Sequence, residues 1–277
     1  MTLKDKKITF IGAGNMANAI VGGLVQKGFP SGNITASAPA EEHLQQIQRT
    51  WGVLTDLDNL KAARQADVIV LSVKPQILKA VCEELSAALS HQPLIISIAA
   101  GIEMASLERW LGQGLAIVRC MPNTPAQVLK GASGLIANAQ VSAEQKALSS
   151  ELFSGIGLVE WLVDEQQMHA ITALSGSGPA YIFMMIEAME AAAIKQGIEA
   201  SSARKLAAQT VLGAAQMVLD TGVAPGQLKR NVMSPGGTTE RAIKVFEQQN
   251  LIEIVEQAMQ AAADRSRELA SILSSDG

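Results

Sequence analysis

Up to about residue 160, short β-type runs alternate with helical patterns. Ile8–Ile11, Asn33–Ser37, Val68–Val73, Leu94–Ile98 and Leu115–Arg119 read as strands. Val68–Val73 and Leu94–Ile98 are nearly continuous apolar runs, as expected of strands covered by helices on both faces. Between them lie segments such as Ala17–Lys27, where Ile20, Val21 and Leu24 form one stripe and Gly28 ends the helix. This alternation predicts a doubly wound parallel sheet over residues 1–163. From Asp164 the strand signals stop. Ala-, Met- and Glu-rich helical patterns take over at 179–196, 201–219, 239–248 and 250–273, so residues 164–277 are expected to form an all-helical domain. Met184, Met185, Met189, Met217 and Met259 are expected to fill gaps between these helices. So much apolar surface on so few helices implies burial against a second subunit.

Composition narrows the function class. The chain has 277 residues, 48% hydrophobic and 17% charged, which describes a compact globular protein with room for two cores. A net charge of −4 and only 3% aromatic residues leave neither a basic footprint nor stacking platforms for nucleic acid. Tyr181–Ile194 is oily but contains Glu187 and Glu190 and is too short to span a bilayer. The N-terminal apolar run is too brief for a signal peptide. Cys82 and Cys120 each sit in an apolar run and read as buried free thiols, which places the protein in a reducing, cytoplasmic compartment. His43, His91 and His169 are scattered without metal spacing and read as surface or boundary residues; no metal site is expected.

Ile8–Ile11 runs into Gly12-Ala13-Gly14-Asn15-Met16-Ala17, a G-x-G-x-x-A at the first strand-to-helix turn. In that context Gly12 makes the turn, Gly14 lets a pyrophosphate approach the backbone, and Ala17 allows close helix–sheet packing. The next strand ends Ser37-Ala38-Pro39-Ala40, with no acid before Glu41. A 2′-phosphate is therefore not repelled, Ser37 could donate to it, and NADP(H) is expected ahead of NAD(H). Asn59 is a second contact or an exposed loop residue. Val73-Lys74-Pro75, Ala99-Ala100-Gly101 and Met121–Pro125 follow later strands, where ligands of such sheets bind; Lys74 reads equally well as a solvated loop lysine. Asn123 and Thr124 could cap the following segment or touch the nicotinamide.

Ser234-Pro235-Gly236-Gly237 reads as a tight turn after which Thr238 or Thr239 caps a helix with Ala242, Ile243 and Phe246 on its apolar face. A glycine-bared loop entering a helix N-terminus leaves N–H groups for a small carboxylate or phosphate. Taken by itself it reads first as an ordinary helix–helix turn, and the rest of the chain reverses that preference. Ser177-Gly178-Pro179 fits a helix start with a packing role.

Together these residues resemble pyrroline-5-carboxylate reductase, the last enzyme of proline biosynthesis. The resemblance rests on Phe10–Ala17, Val73-Lys74-Pro75, Arg119–Pro125, Ser175–Tyr181, Pro225–Lys229 and, most specifically, Val232–Thr239. It implies an N-terminal Rossmann domain (residues 1–163) and a C-terminal helical substrate-binding and dimerisation domain (164–277), with five dimers forming a decamer in many members. The implied activity is NAD(P)H-dependent reduction of 1-pyrroline-5-carboxylate to L-proline. The resemblance places the substrate carboxylate on backbone N–H groups of Ser234–Thr239, chiefly at Gly237 and Thr238, with Gly236 in the same loop. The Thr239 hydroxyl would bond the ring nitrogen, Ser234 and Asn231 would lie at the substrate and nicotinamide edges, and Glu165 falls at a further substrate position. The implied cofactor contacts are Ile11, Gly12, Ala13, Gly14, Asn15, Met16, Ser37, Ala38, Asn59, Val73, Lys74, Pro75 and Ala100; Ala38 stands where some members carry Ser. A related reductase of a β-hydroxyacid or another cyclic imine would need a mid-chain helical lysine, which is not evident. A nucleotide sensor would not need the carboxylate cradle.

Overall fold

The structure, a computed structural model, describes residues 3–275. The chain divides into two compact units: one comprises the chain up to Ser177 together with the stretch from Ala262, the other Gly178–Ala261.

The first unit runs β1 (Ile8–Ile11), α1 (Asn15–Gln26), β2 (Ile34–Ser37), α2 (Glu41–Trp51), β3 (Leu54–Asp56), α3 (Asn59–Ala63), β4 (Val68–Leu71), α4 (Pro75–Leu85), β5 (Leu94–Ser97), α5 (Met104–Leu111) and β6 (Ile117–Met121). It continues with β7 (Gly131–Ala137), α6 (Ala143–Ser154), β8 (Gly157–Trp161) and α7 (Gln167–Ile171). The strands form one sheet in the order β3-β2-β1-β4-β5-β6-β7-β8, parallel except where β7 runs antiparallel to β6. Ile8 pairs with Ile34 on one side and Val68 on the other, so the order reverses at β1 and opens a crevice at the carboxyl ends of β1 and β4. Every residue of β4 is buried. Val68 and Val70 face a core with Phe10, Ile20, Leu24 and Phe153; Ile69 and Leu71 face the opposite one with Leu78, Leu85, Ile95 and Trp110. That period of two across a helix-covered sheet is why the run reads as continuously apolar.

The strands expected from pattern are all present, with ends shifted by up to two residues. Three others lack the pattern. β3 has three residues with an exposed Leu54 at its start, β7 (Gly-Ala-Ser-Gly-Leu-Ile-Ala) opens with small residues, and β8 lies half-exposed at the sheet edge. Cys82 and Cys120 are buried and free; burial pushes the Cys82 thiol up to about 12, leaving it unreactive.

The second unit holds α8 (Gly178–Lys195), α9 (Ala200–Thr221), α10 (Pro225–Asn231), α11 (Thr238–Gln248) and the start of α12 (Leu251–Ser275). A single π-type turn at Thr172–Gly176 precedes α8 in the first unit. Pro225 at N1 starts α10, a helix the sequence pattern shows only as a break. Arg204 on α9 grips Glu190 on α8 through Nε (3.0 Å to Oε2) and its terminal nitrogen (2.8 Å to Oε1). Of the methionines expected to fill gaps, Met189 and Met259 are half-buried, whereas Met184 and Met185 on α8 and Met217 on α9 are exposed, because one chain covers only part of these helices. Among the described residues, no helix is long and apolar enough to cross a membrane.

Candidate functional site

The nucleotide end is built by β1, β4 and their loops. Gly12 has φ +105°, and a Cβ there would lie 2.6 Å from the Ser72 carbonyl oxygen, so only glycine fits. Its N–H donates to the Ser37 carbonyl (2.7 Å). Ser72, which the sequence does not single out, fastens the turn: its Oγ donates to the carbonyls of Ile11 (3.0 Å) and Gly12 (2.8 Å). Gly14 is the N-cap of α1, no side chain caps that helix, and a Cβ on Gly14 would meet open space. Uncapped N–H groups facing open space, at the positive end of a twelve-residue helix, fit a pyrophosphate. Ala17 is buried against the sheet, while Ala13 and Met16 are half-buried and Asn15 is exposed.

At the end of β2, Ser37 is fully buried and its Oγ donates to Asn59 Oδ1 at 2.8 Å. Asn59 is thereby tied to the β2 end, with its neighbour Asp58 capping α3 through bonds from the Leu60 and Lys61 amides. Ser37 pairs in register with Asp56, an acid at the end of β3, a strand that the apolar pattern of the chain does not show. The Asp58 amide and then Lys61, whose Nζ lies 2.9 Å away, hold Asp56 below the usual carboxylate range. Its charge is thus matched by an exposed cation. Ala38 is buried. Val73 is half-buried, Lys74 is exposed as the N-cap of α4 with Pro75 at N1, and Ala100 is exposed between β5 and α5.

Asn123 neither caps the next segment with its side chain nor reaches out toward a ligand. It is buried, donating Nδ2 to the Ser175 carbonyl (2.9 Å) and accepting from the Ala132 amide (2.9 Å), and so ties three segments together. Glu165 is engaged likewise: Oε1 accepts from the Met104 amide at the start of α5 (2.6 Å) and from the buried Arg119 guanidinium. A carboxylate at a helix N-terminus paired with a buried cation is well placed energetically. His169 is 5% exposed, not a boundary residue; its Nδ1 lies 2.9 Å from Ser266 Oγ on the last part of α12.

The Ser234–Thr239 loop belongs to the second unit and joins α10 to α11. Gly236 has φ +74°. Gly237, not Thr238 or Thr239, is the N-cap; the two threonines are the first residues of α11, and no side chain caps the helix. The Gly237 amide donates to the Ser234 carbonyl (2.9 Å), closing the turn, and the Gly236 amide donates to Glu240 Oε2 (2.7 Å). The amides at the start of the helix proper, from Thr238 on, therefore form the exposed donor set. Ser234 is exposed and Thr239 half-buried; Asn231 ends α10 with Oδ1 accepting from Gln227 (2.7 Å). Among the described residues, no three His, Cys, Asp or Glu side chains gather as metal ligands.

A family model described as pyrroline-5-carboxylate reductase dimerisation matches residues 165–269, and one described as NADP oxidoreductase, coenzyme F420-dependent, matches residues 7–101. Pyrroline-5-carboxylate reductase of Pseudomonas aeruginosa is 52% identical over 98% of this chain and 99% of its own; that of Escherichia coli is 40% identical over 96% and 98%. The solved structure of the Coxiella burnetii reductase superposes with a TM-score of 0.92 at 47% identity, covering 96% of this chain and 98% of that one. The Plasmodium falciparum pyrroline carboxylate reductase with NADP bound gives 0.86 at 30% identity, covering 96% and 99%. An N-terminal Rossmann-type sheet followed by helices that match the family's dimerisation region, aligned end to end with these relatives, places the chain in the pyrroline-5-carboxylate reductase family.

Proposed function

We propose that this protein reduces 1-pyrroline-5-carboxylate to L-proline with NADP(H), and with NAD(H) as a second donor. The observation that carries the reading is the uncapped start of α11 behind the left-handed Gly236 turn, in a chain 52% identical to a named reductase. Exposed amides from Thr238 on, at the positive end of an eleven-residue helix, suit the substrate carboxylate. Gly236 and Gly237 shape that cradle. Thr239 is assigned the hydrogen bond to the ring nitrogen and Ser234 the substrate edge. Asn231 is assigned to the nicotinamide side and Glu165, through its remaining oxygen, to the substrate side.

The residues proposed to hold the dinucleotide are Ile11–Met16 at the pyrophosphate, Ser37, Ala38 and Asn59 toward the ribose phosphate, and Val73, Lys74, Pro75 and Ala100 along the crevice. When bound, the reduced cofactor supplies a hydride. The carbon of an N-protonated C=N group would accept it while the nitrogen keeps its proton, so this chain needs no strong acid. Its tasks are to orient the ring and hydrogen-bond the nitrogen. We assign residues 1–163 to cofactor binding, 164–277 to substrate binding and dimerisation, a homodimer or a pentamer of dimers as the assembly, and the cytoplasm as the location.

NADPH oxidation followed with pyrroline-5-carboxylate tests the reading. The parent protein should turn over, and Thr239→Ala should lower kcat about ten- to a hundredfold, the range of one hydrogen bond to a charged group. A parent with no turnover rejects the function; an unchanged variant rejects the role of Thr239.

A further inference from the structure

We propose that Glu240 is a positioning residue that holds the Ser234–Gly237 turn in its binding shape by tethering the Gly236 amide, an inference that rests on the function proposed above. Glu240 is the third residue of α11, the position from which a glutamate ordinarily reaches back to the N-cap amide as half of a capping box. Here that amide, of Gly237, already donates to the Ser234 carbonyl at 2.9 Å. The carboxylate reaches one residue further, accepting from Gly236 at 2.7 Å.

Two bonds thus lock adjacent amides of the turn, one to the loop behind and one to the helix ahead. Gly236 needs the lock. Its φ of +74° is open to glycine at no cost, but the same freedom lets the residue leave that conformation. Lys244, one helical turn on, places Nζ 3.2 Å from the other carboxylate oxygen and steadies the side chain from behind. The Gly236 amide first, and Lys244 next, hold the Glu240 carboxyl below the usual carboxylate range, so the tether stays charged through the neutral range.

An anchored turn presents the amides from Thr238 on without ordering cost at the moment of binding. The tether does not touch the reacting atoms, so it should act on substrate affinity alone. Its charge works against it, because a carboxylate near an anion cradle repels the substrate, and the proposal requires tethering to outweigh that repulsion.

Steady-state kinetics of the full-length oligomer, with pyrroline-5-carboxylate varied at saturating NADPH, tests the proposal. Glu240→Ala should raise the substrate KM about fivefold (about 1 kcal/mol) with kcat and the NADPH KM within about twofold. Glu240→Gln keeps an acceptor for the Gly236 amide and should restore KM to within about twofold of the parent. A KM that stays flat or falls in Glu240→Ala, a loss confined to kcat, or a Gln variant as impaired as the Ala variant would each overturn the proposal. Should the Ala variant not fold, Glu240→Asp, one methylene too short to reach Gly236, is read by the same criteria. A parent inactive on pyrroline-5-carboxylate would instead sink the function, while an active parent with an unaffected Ala variant sinks only the tether.

Discussion

The sheet of the first unit and the helices of the second treat their apolar residues in opposite ways. All four residues of β4 are buried, as are those of β1 and β5. On α8 no residue is buried; Phe183 is 62% and Met184 73% exposed, and Ile252 at the start of α12 reaches 81%. The first unit closes its core within one chain. The second presents a core surface still to be covered, which is what a segment matching a dimerisation family should do.

This contrast can be broken by substitution. The largest effect is expected where a single chain supplies every neighbour. Ile69→Ala, at a fully buried position of β4, should cost about 2–5 kcal/mol by chemical denaturation. Phe183→Asp should do the reverse, leaving the sheet intact (about 0.5 kcal/mol or less on the isolated chain) but moving the sedimenting species to the monomer. A Phe183→Asp protein that keeps the parent's mass would show that this face is not the interface.

A smaller, pH-dependent effect sharpens the comparison within the first unit. Burial, then Arg267 and Arg119, hold His169 below its ordinary value, against the opposing pull of Glu103 and Glu165. A base with a depressed folded pKa is protonated first in the unfolded chain. Its neutral form therefore supports folding fully above about pH 6.5, and that support is lost as pH falls through the window below. The Tm of the parent should fall more steeply between about pH 7 and about pH 5.5 than that of His169→Gln. Parallel profiles would mean that His169 carries no such linkage.

What could be read from sequence follows the same division. β1, β4 and β5 are legible because each is an apolar run covered on both faces, and Gly12 because a turn that approaches a neighbouring backbone admits nothing larger. β7 escapes because glycine, alanine and serine pack there by lacking bulk, a signal that has no period. Glu165 and Asn123 carry information only through partners remote in sequence: Met104 and Arg119 for one, Ala132 and Ser175 for the other. Glu240 carries no such signal while the cap is read at Thr238 or Thr239; only the cap at Gly237 makes it the third helical residue, and its carboxylate then takes the Gly236 amide because the Gly237 amide is occupied.

Helix α12 begins in the second unit and ends in the first, where Leu273 packs near Gly101 and Ser266 meets His169. The helical unit is thus spliced into the middle of the other rather than hung from its end. A stop codon after residue 261 would strip cover from the sheet-bearing half while sparing the half nearest the cut. Separating the two cleanly calls for excision of 178–261 and a bridge across the gap, and shortening the C-terminus harms the region most distant from it in sequence.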